Sequence, residues 1–372
     1  MTKIKILETI RQGSFGGGET YLFNLVTRLN RDKFEPVVLS FSEGAMVEAL
    51  KEKSIKTYVI STEKPFDISV YKQVFQILKK ENIDLLHIHG TRAGTNTLIP
   101  TLFTKVKNIY TVHGWSYHTG NNALVTKSRI ISEKFLTRFT NVTVCGSEAD
   151  KKLGEQNCPG GKYRLIHNSI DPDLYDPQKP GKDIRKEFGF DENDFIISSI
   201  ARLTFQKDPL TLIKAFNLFQ AIHQNVKLLI AGGGELEEEC KQLVHDLNLD
   251  IHVVFSPFRK DVTDVLRSID VFVLPSLWEV IPLGLLEAMS FEKICVATKI
   301  PGTSEAVKNN ENGFLFEKGN EMELAQKLEY IYLNRNNLDA IKQNARKTVV
   351  DNFNIKTLVK KNESLYLELM GE

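Results

Sequence analysis

The sequence predicts an α/β protein of two domains, each a doubly wound, Rossmann-like parallel sheet with helices on both faces. Three observations predict it. Short apolar runs rich in β-formers alternate with longer helical patterns, the rhythm of parallel sheets. A stretch dense in proline and glycine, Asn168 to Gly189, holds Pro172, Pro177, Pro180 and Gly181 among many charges and reads as a linker. The charge balance also turns over there: up to Ile170 the chain carries 24 Lys and Arg against 15 Asp and Glu, and beyond it 24 against 32. A length of 372 residues suits two domains with a sizeable core in each. The expected domains are residues 1–170 and 171–353, with segment 354–372 forming a closing helix that crosses back onto the first.

In the first half, Lys3–Thr9 reads as a strand, a glycine-rich loop follows, and a helix runs over about Thr20–Leu29. Further strands are expected at Pro36–Phe41, Thr57–Ile60, Asp84–His89, Asn108–Val112 and Val142–Cys145. Beyond the linker the strands are Phe195–Ala201, Lys227–Ala231, Val253–Phe255, Val271–Leu274, Ile294–Ala297 and Gly313–Phe316. Ligands of open α/β sheets collect at the carboxyl ends of strands, so two such domains would present a shared central cleft.

Composition narrows the class. The chain is 42% hydrophobic and 26% charged, an ordinary globular balance. No apolar run reaches the ~18–20 residues of a membrane span, and Met1-Thr2-Lys3-Ile4-Lys5 lacks the apolar centre of a signal peptide. A cytoplasmic location is expected. The four cysteines, Cys145, Cys158, Cys240 and Cys295, lie far apart in different elements, so they are expected to be buried and reduced rather than metal ligands or disulfide partners. The basic first half suggests an anionic partner such as a lipid phosphate, a membrane surface or an acidic sugar. Within it, Lys127 to Phe139 is basic and amphipathic. The preferred reading buries Ile131, Phe135 and Phe139 in the core; the alternative rests them on an anionic membrane.

Several loops carry chemistry. After the apolar strand Val271–Leu274 comes Pro275-Ser276-Leu277-Trp278-Glu279-Val280-Ile281-Pro282, and a helix is expected to start near Leu283. Its first amides, at Leu283, Gly284 and Leu285, would be unpaired and its positive dipole end open to an anion. Glu287 falls one turn on, and Glu279 lies in the loop before, so two carboxylates able to accept sugar or ribose hydroxyls flank a phosphate-ready helix start. Arg202 and Lys207 follow the first strand of the second half and can stabilise charge on a departing diphosphate. Gly13 to Glu19 follows the first strand of the chain; Gly17 and Gly18 would let backbone amides approach a phosphate, although the loop fits neither a dinucleotide nor a P-loop pattern. Gly232-Gly233-Gly234 reads as a tight turn. His113, after the strand ending at Val112, could bind a sugar hydroxyl, and Trp115 or Tyr117 could stack on a sugar face. His87 and His89 with Asp84 suggest a metal, but no third ligand follows at suitable spacing, so structural or substrate-contact roles are preferred. Asp171-Pro172-Asp173 lies in the linker and reads as a turn.

Taken together these features resemble glycosyltransferase family 4, whose members are retaining enzymes of GT-B fold. The resemblance spans nearly the whole chain. It rests on the Glu-x7-Glu motif from Glu279 to Glu287, Arg202-Leu203 with Lys207-Asp208, the glycine loop ending at Glu19, Thr111-Val112-His113-Gly114, and Asn168-Ser169-Ile170-Asp171. It implies that Arg202 and Lys207 hold the donor diphosphate, Glu287 the ribose, Glu279 the donor sugar, and that His113 contacts that sugar. Gly17 and Gly18 would offer amides to the phosphates. Glu19, Trp115, Tyr117 and His89 are the candidate acceptor contacts. Front-face displacement, with the leaving phosphate taking the acceptor proton, would need no protein nucleophile, metal or other cofactor. One position departs from the family pattern: Val280 stands where glycine usually follows the first glutamate, which bears on donor identity. The expected partners are a nucleotide-sugar donor, most commonly UDP in the family, a glycan or lipid-phosphate-linked acceptor, and an anionic membrane at its inner face; no nucleic acid is expected. Two other readings stay open: another GT-B sugar-nucleotide enzyme (an epimerase or synthase), and a non-catalytic sugar-nucleotide-binding protein.

Overall fold

A computed structural model describes residues 3–117 and 123–371. Met1, Thr2 and Glu372, which the expected domain limits include, lie outside them. The chain divides into two compact units, residues 3–168 with 355–371, and Ser169–Asn354.

The first unit holds β1 (Ile4–Ile10), β2 (Phe34–Ser40), β3 (Lys56–Val59), β4 (Leu85–His89), β5 (Lys107–Val112), β6 (Val142–Cys145) and β7 (Tyr163–Leu165). They form one parallel sheet in the order β3-β2-β1-β4-β5-β6-β7. The second unit holds β8 (Phe195–Ile200), β9 (Val226–Ala231), β10 (Val253–Ser256), β11 (Val271–Leu274), β12 (Ile294–Thr298) and β13 (Phe314–Phe316). Their order is β10-β9-β8-β11-β12-β13, again all parallel. β7 was not among the expected strands. It is a short edge strand, only partly buried, and so lacks an apolar run to announce it.

Each sheet reverses its strand order once, between β1 and β4 and between β8 and β11. A crevice opens outside the carboxyl ends of strands at such a switch point. The loops that carry the chemistry-bearing residues follow β1, β4, β5, β8 and β11, so four of the five adjoin a switch.

Both sheets are covered on both faces. In the second unit Leu212, Ile213, Phe216 and Phe219 of the helix Pro209–Gln220 pack on one face, and Leu285, Leu286 and Met289 of the helix Leu283–Ser290 pack on the other. In the first unit the closing helix Ile355–Met370 lays Ile355, Leu358, Leu365 and Tyr366 against Ile4, Ile6, Leu25 and Phe34. All four cysteines are buried and free.

The basic helix, Ala123–Phe139, corrects one expectation. Its inward residues are Glu133, Leu136 and Thr137, while Ile131 is 61% and Phe139 49% exposed and Phe135 is half-buried. The cause is polar. Glu133 is fully buried and its carboxyl accepts hydrogen bonds from the hydroxyls of Thr91, Tyr110 and Ser116, each at 2.7 Å. Burial raises its pKa despite these donors. Anchoring Glu133 inward turns Ile131 and Phe139 outward and leaves Phe135 at the edge of the core, because residues two apart on a helix point about 200° apart.

Candidate active site

In the second unit, backbone contact between loops places the charged side chains. Past β8 the chain pairs with the triple glycine after β9: Leu203 N donates to Gly233 O at 3.0 Å, and Leu236 N to Leu203 O at 3.0 Å. A Cβ at Gly232 would run into Ala201 O, and one at Gly234 into Leu203 O. Only glycine permits that approach, so the tight turn read from the sequence also braces the loop bearing Arg202.

That loop then docks on the one after β11. Leu277 N donates to Gln206 O at 2.8 Å, Gln206 Nε2 to Trp278 O at 2.9 Å, and the rings of Phe205 and Trp278 sit 6.0 Å apart. The result joins Lys207 Nζ to Glu279 Oε1 in a mostly buried ion pair. Arg202 is exposed and carries no ion pair among the described residues. Below them Gly302 abuts the carbonyls of Glu279 and Val280, where a Cβ would collide. Val280 is thus held through its backbone, with its side chain half-buried.

The helix Leu283–Ser290 begins without a side-chain cap. Pro282 stands at the capping position itself, one residue before the first helical one. The amides of Leu283, Gly284 and Leu285 therefore have no intrahelical acceptor, and the Leu285 side chain belongs to the core. Glu287 accepts from Tyr175 OH at 2.9 Å, and loss of solvation pushes its carboxyl up to about 7. Tyr175 is pinned in turn, its carbonyl accepting from Ser290 Oγ and Arg346 Nη1, both at 2.9 Å. Asp173 N donates to Asp171 Oδ1 at 3.1 Å, so the Asp-x-Asp pair forms the turn expected of it.

In the first unit the glycine loop runs straight into the helix Gly17–Arg28, again uncapped by a side chain. Gly17 faces open space, and a Cβ at Gly18 would stand 3.0 Å from His113 Cδ2. Glu19 lies in the first turn, nearly buried, with its carboxylate beside Gly16. His113 is half-buried, edge-on to Tyr21 at 5.0 Å between ring centres. Its Nε2 lies 2.9 Å from His89 Nδ1, and His89 Nε2 lies 2.8 Å from Glu8 Oε2. Tyr366 OH of the closing helix donates to Glu8 Oε1 at 3.0 Å. His87 closes the group, Nδ1 at 2.7 Å from Tyr366 OH and Nε2 at 2.7 Å from Thr111 Oγ1. Burial alone would raise the Glu8 pKa, but the histidines around it hold it at about 2; burial pushes His89 down to about 4 and His113 well below its usual value.

Three candidate acceptor contacts are corrected by this geometry. His89 is fully buried behind His113 with both ring nitrogens engaged. Trp115 is 3% exposed, stacked on Tyr117 at 5.3 Å, and gives its Nε1–H to Asp150 O at 2.8 Å. Tyr117 is buried in the same cluster. A ring already covered on its faces has none to offer a sugar. Sequence reasoning missed Glu8, Tyr366 and Glu133. Glu8 also supplies the third ligand-type atom that the His-x-His reading lacked: groups of Glu8, His87 and His89 lie within 4.8 Å of one another. Each of these groups is already hydrogen-bonded within the protein.

Two doubly wound parallel sheets, with charged loops gathered at each strand-order reversal, define the GT-B class of glycosyltransferases. Two family models cover the chain almost end to end. Residues 15–174 match "Glycosyltransferase Family 4" and residues 181–348 match "Glycosyl transferases group 1". The chain belongs to the family 4 type of glycosyltransferases and is a transferase. It is 27% identical to the UDP-Gal:alpha-D-GlcNAc-diphosphoundecaprenol alpha-1,3-galactosyltransferase of Escherichia coli, over 99% of this chain and 98% of that one. It is 25% identical to the N-acetyl-alpha-D-glucosaminyl L-malate synthase of Bacillus anthracis, over 86% and 84%. The crystal structure of Anabaena HepE in complex with UDP and glucose shares its fold, with a TM-score of 0.86, 23% identity, and coverage of 98% and 99%.

Proposed function

We propose that the protein is a retaining, metal-independent hexosyltransferase. It moves a sugar from a nucleotide-diphosphate donor, UDP foremost, to a glycan or lipid-linked acceptor in bacterial-type surface polysaccharide or glycolipid synthesis. The observation that carries the reading is the second unit's cluster: the exposed Arg202, the Lys207–Glu279 pair, and Glu287 one turn beyond an uncapped helix start. A diphosphate arriving there draws Lys207 from Glu279, and Glu279 is freed to accept hydroxyls of the sugar. Arg202, Lys207 and the amides of Leu283, Gly284 and Leu285 take up the charge that grows as the diphosphate leaves. Glu287 holds the ribose. Gly17 and Gly18 offer further amides, His113 meets a sugar hydroxyl, and Glu19 is left as the acceptor-side carboxylate. The leaving phosphate takes the acceptor proton. The UDP-galactose donor of the Escherichia coli relative supports UDP as the first nucleotide to try.

No helix among the described residues is long and apolar enough to cross a membrane. The exposed Leu124, Ile131 and Phe139, flanked by Lys127, Lys134 and Arg138, form the face that rests on the anionic inner leaflet where a lipid-linked acceptor resides. A thermal-shift screen of nucleotide sugars identifies the donor. Alanine at Arg202 or Lys207 then lowers kcat/KM by about 100-fold or more, as loss of a transition-state cation does. Turnover unchanged by both substitutions would sink the assignment, and inversion of the anomeric centre, read by NMR of the product, would sink retention.

A further inference from the structure

A fully buried carboxylate is an expensive feature for a parallel strand to carry. In this chain it sits at the head of a line of rings that ends at the surface. Glu8 and His87 are partners in the β1–β4 register, and His89 is two residues further along the same face of β4. From there the line runs to His113 just past β5. The hydrogen bonds admit one consistent assignment. Ionised Glu8 can only accept, so His89 Nε2 carries the proton and neutral His89 presents a lone pair at Nδ1. His113 Nε2, 2.9 Å away, must then be the protonated nitrogen. Neutral His113 is left with a bare Nδ1, which has no partner among the described residues. Gly18 and Tyr21 pack on the ring from the helix, Gly18 at the Cδ2 side. Tyr366 OH holds the second oxygen of Glu8, so that oxygen has no use for a proton of its own.

We propose that Glu8 is a positioning residue that fixes, through His89, which nitrogen of His113 bears the proton, so that His113 always offers an acceptor, never a donor, to the sugar hydroxyl it meets. The last clause rests on the reading of His113 given above; the tautomer itself does not. Without the carboxylate, two neutral imidazoles in contact can run their hydrogen bond in either direction. A His113 with its proton on Nδ1 would face the hydroxyl with a donor, and the hydroxyl would have to turn its own proton elsewhere. The low pKa values of His89 and His113 agree with two uncharged rings. A cation held by Glu8, His87 and His89 is the competing use of these atoms, and it would need several of the same hydrogen bonds to break.

The test is 15N NMR of the full-length protein labelled at histidine, with His113 assigned from the signals lost in His113→Ala. In the unsubstituted protein His113 Nδ1 should give a pyridine-type signal and Nε2 a pyrrole-type one; the reverse overturns the proposal with no variant required. Glu8→Gln keeps the shape of the side chain. Tyr366 OH retains the amide oxygen, the amide NH2 donates to His89 Nε2, and the line reverses, so the two His113 signals exchange types. Tyr366→Phe leaves them in place. The same Glu8→Gln change should lower kcat/KM by about 10- to 100-fold, the scale of one misdirected buried hydrogen bond, and cost nothing further once His113 is alanine. Exchanged signals with full activity in both His113→Ala and Glu8→Gln retain the relay and overturn the sugar contact. Unexchanged signals in a folded Glu8→Gln protein overturn the relay, as does a stoichiometric metal in the purified protein that Glu8→Gln removes.

Discussion

The two units solve the placing of polar groups on a parallel sheet in opposite ways. In the first, the polar residues lie inside the strands. Glu8, His87, His89 and Thr111 are buried and bonded to one another, and Tyr366 caps the group from the closing helix. The ring nitrogens of His87 and His89 and both oxygens of Glu8 have partners, and among the described residues Nδ1 of His113 is left over. In the second, β8 and β11 carry no charged side chain, and the charges sit in the loops beyond them, where Lys207 is held by Glu279 and Arg202 makes no ion pair among the described residues. On the reading proposed above, the first arrangement defines a direction and the second holds a replaceable ion pair ready for an anion. A preset tautomer suits a contact that must discriminate among hydroxyls. An exchangeable pair suits a charge that arrives and departs with each turnover.

The comparison is best strained where a side chain belongs to structure rather than to substrate. Trp115→Ala should destabilise the protein by about 3–5 kcal/mol, the cost of emptying a packed aromatic site. It should lower the midpoint of thermal unfolding while the acceptor KM measured below that midpoint changes little. A large acceptor KM effect in a protein of normal stability would return Trp115 to the binding surface.

Glu287 sharpens the contrast from the second unit. Its carboxyl is raised from 4.5 to about 7 in the fold, so the folded state holds the proton more tightly than the unfolded chain. The stabilisation this gives is complete below pH 4.5, is lost as pH rises to about 7, and is gone above. Glu287→Gln has no such titration. The difference in melting temperature between wild type and Glu287→Gln should therefore fall across that window and level off beyond it. A constant difference from pH 4 to 9 would place Glu287 in ordinary solvent.

The smallest expected effect on stability belongs to the outer face of the basic helix. Ile131→Ser with Phe139→Ser should shift stability by no more than about 0.5 kcal/mol, since exposed positions carry little packing. The same pair should release the protein from vesicles containing anionic lipid in a flotation assay. Loss of several kcal/mol would mean that these side chains are packed after all.

Much of the fold was legible because a strand covered on both faces is a continuous apolar run, and such runs stand out between helical patterns. β7 is short and only partly buried, and left no such mark. The charged loops of the second unit were legible for a related reason: Arg202, Lys207, Glu279 and Glu287 follow strand ends closely in sequence. Glu8 was hidden in plain view, one acidic residue inside Ile-Leu-Glu-Thr-Ile, because its partners are remote. Trp115 and Tyr117 failed for a different cause. An aromatic after a strand has the same local pattern whether it roofs the core or faces a ligand, and only the surrounding atoms decide. Ile131 and Phe139 failed as core residues because a single buried glutamate set the roll of the helix, leaving only Phe135 of the three against the core.

The closing helix also ties two remote parts of the chain into one group. Tyr366 and Glu8 are 358 positions apart, so the Glu8 carboxylate has all its donors only once β1 and the closing helix have packed together. Loss of that helix removes Tyr366 together with Ile355, Leu358 and Leu365, which pack against Ile4, Ile6, Leu25 and Phe34. The core of the first unit and the donors of Glu8 therefore depend on the same helix, and anything that loosens it reaches both at once.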